Sequence, residues 1–313
     1  MELVPYDSQY RDDILTMWNQ TLFADPLSEK RFLKRIILDE NFDSAYSMIA
    51  LENNKAVGFI WAIVRQVSYG DRGLEPERGW IAAICVDKDY QRKGIGSELV
   101  RKIEEKMLIH GVKNITLGAY SPNYLFPGVD KNNYPNAASF FKKAGYEKTG
   151  EAVSMERSLF DFKKTDKYLE LKEEVTKKGY VLDSFKTSES EELLSFLHTH
   201  FEGGWARNVK NAIMEDRAEA TILVMRNSQN QIVGYCQRAI DGNLDRFGPF
   251  GVREDLRGLR LGMVLFNEML FEMLSREINH SYFLWTSGKA QKFYEKNGMK
   301  VYRDYDLMKK TLN

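Results

Sequence analysis

The apolar positions of the chain follow two periods, and the order in which those periods alternate occurs twice. Leu3–Tyr6 reads as a strand, and Tyr10–Thr21 and Ser28–Leu38 carry apolar residues three and four apart, the helical spacing. Tyr46–Leu51 and Val57–Val67 are strand-like runs. They are joined by Asn53-Asn54, residues that tolerate the backbone a two-residue hairpin requires. Trp80–Val86 is a further apolar run, after which Leu99, Val100, Ile103 and Met107 recur at helical spacing. The same order then returns. Tyr180–Phe185 is a strand, helices follow over Glu189–Phe201 and Asn208–Asp216, and strands Thr221–Met225 and Ile232–Ala239 flank a turn at Asn227–Asn230. Phe247–Val252 is the next strand, and Leu261, Val264, Leu265, Met269 and Met273 form the next helical stripe.

The repetition extends to residues. Val86–Val100 aligns without gaps on Val252–Phe266, each segment running from a strand-like stretch into a helix. Downstream, Phe140-Phe-Lys-Lys-Ala-Gly-Tyr146 parallels Phe293-Tyr-Glu-Lys-Asn-Gly-Met299, a short helix closed by a glycine and followed by a strand. The predicted organisation is two copies of one module, at 1–158 and 180–313, joined through 159–179. Within Asp161–Lys178, Glu173/Lys177 and Glu174/Lys178 are spaced to support a helix, and a solvated connecting helix ending at Gly179 is expected. The first copy is about 13 residues longer between its turn glycine and its capping glycine, and the excess falls in Ser121–Asn133. That segment, with Pro, Gly and Asn among aromatics, predicts an ordered loop of the kind that often carries function.

Composition narrows the class. The 313 residues hold 45 Lys plus Arg and 45 Asp plus Glu, and 43% are apolar. Two domains are the expectation at this length. Zero net charge argues against a protein that tracks nucleic-acid phosphates. The longest apolar run, around Ile81–Val86, is far too short to span a bilayer, and the first residues lack the features of a signal peptide. The two cysteines, Cys85 and Cys236, have neither metal nor redox spacing and read as small core residues. A cytoplasmic protein without a metal is expected, monomeric or homodimeric, with no nucleic-acid or membrane partner.

The chemistry-bearing segment is Gln91-Arg-Lys-Gly-Ile-Gly96. A glycine turn between a strand and a helix start leaves backbone N–H groups pointing outward, where the helix dipole adds partial positive charge. Such a turn suits a pyrophosphate, and Arg92 and Lys93 add charge to it. The string alone is common. Its strand–turn–helix setting and its recurrence make it specific.

With these residues the sequence resembles the GNAT superfamily of acetyl-CoA-dependent N-acetyltransferases, whose signature Q/R-x-x-G-x-G/A follows the fourth strand. Both halves carry the resemblance, and the tandem arrangement is similar to that of mycothiol synthase and bacterial glucosaminide N-acetyltransferases. It implies an α/β (α+β) fold of two modules, each with a mixed, mainly antiparallel central sheet flanked by helices. It further implies an opening in each sheet where the pantetheine arm of acetyl-CoA pairs with backbone. The implied coenzyme residues are Cys85, Val86, Gln91, Arg92, Lys93, Gly94, Ile95 and Gly96 in the first half. In the second they are Gly251, Val252, Arg257, Gly258, Leu259, Arg260, Leu261 and Gly262, with Arg260 standing where the first motif glycine belongs.

The resemblance also implies a tyrosine four residues before the capping glycine that protonates the departing thiolate. The second half has Tyr294 there and the first has Phe141, so the second half is the expected site of transfer and the first the stronger coenzyme binder. The alternative for Tyr294 is a half-buried core aromatic. No general base is named, because Glu75, Glu77, Asp241 and Asp245, which precede the two relevant strands, read equally well as solvated loop residues. His198–Trp205 falls where such modules shape the acceptor pocket, and its two histidines do not share a helical face. Tyr124 and Trp205 are candidates to stack on a sugar-like acceptor. The expected activity is transfer of acetyl from acetyl-CoA to a primary amine of a small molecule such as an amino sugar or aminoglycoside. The alternatives are a non-catalytic coenzyme-binding protein and an aminoacyl-tRNA-dependent transferase.

Overall fold

The fold is described from a computed structural model that covers residues 1–201 and 204–312. The chain groups into two compact units, Met1–Val153 with Arg303–Asn313, and Ser154–Tyr302. The sequence division at 158 and 180 assigned residues 303–313 to the second half and left 159–179 between the halves. By contacts the former belong to the first unit and the latter to the second.

The first unit contains β1 (Glu2–Pro5), α1 (Arg11–Thr21), α2 (Glu29–Phe32) with a π turn over Leu33–Ile37, β2 (Ser47–Glu52), β3 (Lys55–Val64) and β4 (Arg78–Val86). It continues with α3 (Ile95–Ile109), β5 (Asn114–Leu117), β6 (Val129–Asp130), α4 (Pro135–Lys143) and the first part of β7 (Glu147–Ser158). The last strand of the chain, Lys300–Thr311, lies between β5 and β7. The expected hairpin between β2 and β3 forms, with Asn53 and Asn54 at φ of 49° and 61°, the left-handed pair a tight hairpin turn needs. Strands β1, β2, β3 and β4 pair antiparallel in succession, the last strand pairs antiparallel with β5 and β6, and β4 pairs with β5 in parallel.

Period-two alternation sends the two faces of this sheet into two cores. Phe59, Trp61, Ile63, Trp80 and Cys85 pack with Ile14, Met17 and Trp18 of α1. Val57, Ile60, Ala62 and Ile81 pack with Leu99, Val100, Ile103 and Met107 of α3. The alternation slips twice. Ala50 pairs with Gly58 and Leu51 with Ala56, so Val57 is the extra residue of one bulge, and Trp61 pairs with Ala83 and Ala62 with Ile81, so Ala82 is the extra residue of another.

The second unit holds α5 (Asp166–Lys177), β8 (Val181–Ser184), α6 (Ser190–His200), α7 (Trp205–Met214), α8 (Ala218–Thr221), β9 (Ile222–Arg226) and β10 (Ile232–Arg238). It continues with β11 (Phe247–Val252), α9 (Leu261–Ser275), β12 (His280–Thr286) and α10 (Gly288–Lys296). Strands β11, β10, β9 and β8 form an antiparallel sheet in that order.

Helix α5 corrects the expectation of a solvated connector. The predicted ion pairs form on its outer side, Glu173–Lys177 at 2.6 Å and Glu174–Lys178 at 2.7 Å. Its other side buries Tyr168, Leu171 and Val175, a spacing of one helical face. That face lies on α9, where Tyr168 donates to Glu268 and Lys172 reaches the same carboxylate at 3.0 Å. Helix α9 is accordingly apolar on more than one side, burying seven residues from Leu261 to Met273. No helix among the described residues is long and apolar enough to cross a membrane.

Candidate active site

The two repeated turns follow one backbone path with the glycines exchanged. In the first, Arg92 and Gly94 have φ of 63° and 85°. In the second, the aligned Gly258 and Arg260 have φ of 93° and 62°. Helix α3 starts directly after Gly94 and α9 directly after Arg260, so the unbonded N–H groups of each first turn open on the strand end. Ile95 and Leu261 bury their side chains and anchor the helices, leaving only their N–H groups at the turn. Gln91 donates from its side chain to the Val86 carbonyl at 3.0 Å, which ties the turn to the end of β4. A side-chain carbon at Gly94 would meet nothing within 4 Å, whereas one at Gly96 would touch Phe140 at 3.3 Å. The outer face of the first turn is therefore open backbone, which could hold an anion such as a pyrophosphate.

Charge separates the two turns. Lys93 lies over the Tyr90 ring at 4.8 Å, and neither it nor Arg92 has a carboxylate partner among the described residues. In the second unit every arginine near the turn has one. Arg253 pairs with Asp255 at 2.7 Å, Arg257 with Glu254, and Arg260 with Glu174 of α5.

Both sheets open beside these turns. Strand β4 pairs with β3 along its length but with β5 only from Arg78 to Ile81. The Gly118 N–H to Ile81 carbonyl bond, 2.9 Å, is the last rung. Beyond it, Ala82–Val86 present a strand edge that β5 does not cover. In the second unit Arg246, just before β11, bridges Tyr282 of β12, and no ladder joins the two strands among the described residues. Strand β11 contains Pro249, and its pairing with β10 shifts register between Cys236 and Arg238, opposite Phe250 and Phe247.

The surroundings of the second opening are aromatic. Tyr294 contacts the rings of Phe247, Phe250, Phe266, Phe283 and Phe293, the shortest centroid distance being 4.4 Å to Phe283. Burial, with Cys236 adding to it, pushes its phenol above the usual value, so the hydroxyl stays protonated through the neutral range. On the other face of β11, Phe201 and Trp205 stack at 4.5 Å. A side-chain carbon at Gly251 would fall 2.4 Å from the Phe201 ring. Phe141, the counterpart of Tyr294, is a core residue beside Phe140 and Tyr146.

The remaining sequence candidates fall as follows. Tyr124 is half-buried in the 121–128 loop of the first unit, and Trp205 opens α7 in the second. The His198–Trp205 segment includes Glu202 and Gly203, which lie outside the described residues. Glu75 is held by Arg65 and Arg78, each at 3.0 Å, and Glu77 pairs with Lys113. Asp241 accepts the Asn243 N–H at 3.1 Å, and Asp245 lies 3.5 Å from His280. Each of the four carboxylates thus has a structural partner.

The sequence reading missed the polar cluster beside the first opening. Tyr120, two residues past the last rung, donates to Asp39 at 2.8 Å and accepts from Asn41 at 2.7 Å. Burial and the Asp39 charge raise its phenol above the ordinary value. Arg65, only 5% exposed, lies against it. The available signal was an arginine closing the apolar run of β3.

Known proteins resemble this chain in sequence and in fold. Residues 11–146 match the acetyltransferase (GNAT) family. N-alpha-acetyltransferase 30 of Schizosaccharomyces pombe is 26% identical over 144 residues, 46% of this chain and 82% of that one. A glucosamine N-acetyltransferase region of a fungal multi-domain GH3 β-N-acetylglucosaminidase has the same fold over 98% of this chain, with a TM-score of 0.82 and 21% identity. The present chain spans 38% of that protein. A GCN5-related N-acetyltransferase from Sphaerobacter thermophilus is similar over 99% of this chain and 95% of its own, with a TM-score of 0.72 and 14% identity. A tandem GNAT protein from the clavulanic acid biosynthesis pathway is similar over 99% of this chain and 98% of its own, with a TM-score of 0.65 and 14% identity. The first unit thus matches the acetyltransferase (GNAT) family over residues 11–146, and the chain as a whole has the fold of tandem GNAT proteins.

Proposed function

We propose that the protein transfers acetyl from acetyl-CoA to a primary amine of a small molecule, and that the first unit holds the coenzyme and carries the transfer. The observation behind this reading is the pairing, in that unit, of an open glycine turn bearing uncommitted Arg92 and Lys93 with the uncovered edge Ala82–Val86. The N–H groups at Gly94–Gly96 and the two cations would take the pyrophosphate, and the β4 edge would orient the arm. Bound acetyl-CoA supplies a thioester: the amine nitrogen bonds to the acetyl carbon, the carbon–sulfur bond breaks, the nitrogen loses a proton and the sulfur gains one. The residues holding the reacting groups in line then contribute mainly by orientation.

This moves the transfer away from the half that sequence favoured. In the second unit the turn's cations are offset by Glu174, Glu254 and Asp255, and the rings of Phe201 and Trp205 lie on Gly251. Both features work against an anionic coenzyme and an incoming amine. A second reading, transfer in the second unit with Tyr294 as the acid, is favoured by its phenol beside an open β11 edge.

Calorimetry with acetyl-CoA and thiol release with an amine panel test both readings. Arg92→Glu with Lys93→Glu should abolish coenzyme binding, while Arg257→Glu with Arg260→Glu should leave it intact. The opposite pattern places the coenzyme in the second unit, and no binding to the wild type at high micromolar acetyl-CoA rejects both.

A further inference from the structure

Three buried donors of the first unit meet around one ring and lack acceptors. The faces of the Arg65 guanidinium are covered by Tyr69, Trp80 and Tyr120, at 4.7, 4.8 and 5.4 Å. Its Nε donates to Glu75, whose other oxygen takes Arg78. Its Nη1 is buried with no hydrogen-bond partner among the described residues, and so are the indole nitrogens of Trp61 and Trp80. Both indoles contact Tyr120 edge-on, at centroid distances of 6.3 and 5.5 Å. Both Glu75 oxygens already accept from arginines, and the Tyr120 oxygen accepts from Asn41. Buried polar groups are nearly always paired, so three unpaired donors in contact with one side chain call for an explanation.

Their chemistry is one-sided. A guanidinium and two indole N–H groups donate and cannot accept. The complementary group is acceptor-only and preferably anionic, which describes a carboxylate. The cluster also stands where a substrate would need it. Trp80 adjoins Ile81, the last β4 residue paired to β5, and Tyr120 follows Gly118 by two. Its cover is loop, since residues 65–69 and 121–128 carry no helix or strand.

We infer that the acceptor amine of this protein also carries a carboxylate, and that Arg65 binds it with help from the indole N–H groups of Trp61 and Trp80. The inference rests on the assignment of transfer to the first unit and narrows its substrates to amino acids and amino-sugar acids.

Thiol release is to be measured with matched amines: amino acids from glycine to 6-aminohexanoate, each beside its carboxamide, and glucosaminic acid beside glucosamine. In at least one pair the acid should have a KM about tenfold or more below its neutral partner, the size expected of a hydrogen bond to a charged group. Arg65→Met should erase that difference while leaving kcat within about threefold and acetyl-CoA affinity unchanged, and Arg65→Lys should restore part of it. Trp80→Phe keeps the ring and loses the N–H. It should raise the KM of the acid alone, which gives a reading even where Arg65→Met fails to fold. Turnover of amines with acids and neutral partners equal throughout, or an acid preference that survives Arg65→Met, overturns this inference and leaves the acetyltransferase reading standing. No thiol release from any amine overturns both.

Discussion

Gly94 and Arg260 hold the same place in the repeated turn, and both have left-handed backbone, with φ of 85° and 62°. Each turn contains one glycine and one arginine in that conformation, in opposite order. A residue with a side chain pays roughly 1–2 kcal/mol there, and glycine does not. The path is thus kept in both copies, but only the first leaves bare backbone at the helix start. In the second, a guanidinium fills the position and is engaged by Glu174.

Gly94→Val should disturb the first turn strongly, because a β-branched side chain is strained at positive φ. Acetyl-CoA affinity measured by calorimetry should fall by about tenfold or more, the loss of at least one well-placed charged hydrogen bond. Arg260→Gly should leave the same affinity within about twofold. A larger effect of the second substitution would contradict the assignment of the coenzyme to the first unit.

Tyr294→Phe should leave kcat within about threefold if the phenol acts only as part of the aromatic cluster around β11. General acid catalysis is worth about a hundredfold or more. A drop of that size, with coenzyme affinity retained, would return the transfer to the second unit.

The C-terminal segment is pinned to the first unit by Arg303, which makes two bonds to Asp25, 2.6 and 2.7 Å, and one to Asp130, 2.7 Å. Burial alone would raise the Asp130 carboxyl. Hydrogen bonds from the Asn133 backbone and side chain and from Arg303 outweigh it and hold the group below its ordinary 3.8. A depressed folded value means this stabilisation is complete above that ordinary value and is lost as pH falls through the folded one. Chemical unfolding from pH 5 downward should therefore show stability dropping below about pH 4. Arg303→Met should cost about 3–5 kcal/mol at neutral pH and flatten that acid slope. Parallel slopes for the two proteins would argue against Asp130 as the titrating group.

Cys85 and Cys236 are free and buried. Burial, only partly offset by hydrogen bonds from Thr21 and Phe59, pushes the Cys85 thiol up to about 12. Burial, reinforced by the Glu272 charge, raises Cys236 well above its usual value. Thiolate is the reactive form, so iodoacetamide at pH 8 should label neither cysteine in the folded protein. Labelling should follow global unfolding in denaturant, and rapid modification of the native chain would show that these cores open locally.

Much of the architecture was legible in the sequence because it is periodic and repeated. The apolar runs marked β3 and β4 as strands, the Asn53-Asn54 pair set the hairpin before β3, and Gln91–Gly96 marked the turn between β4 and α3. Helix α5 was read from its ion pairs as solvated. The pattern Tyr168, Leu171, Val175 that buries it was present, but the charges around it masked the stripe.

What the sequence alone determined is local: which segments are strands and helices, that the module occurs twice, and which turn keeps its glycine. Those features depend on backbone geometry and on residues near one another in the chain. Tertiary structure decided what depends on distant partners. It placed the C-terminal strand in the first unit through Arg303, brought Glu174 onto Arg260 across 86 positions, and gathered Arg65, Trp61, Trp80 and Tyr120 at the edge of the opened sheet. The strength of a charge or a buried donor depends on the groups that surround it in space, and chain spacing does not encode those groups.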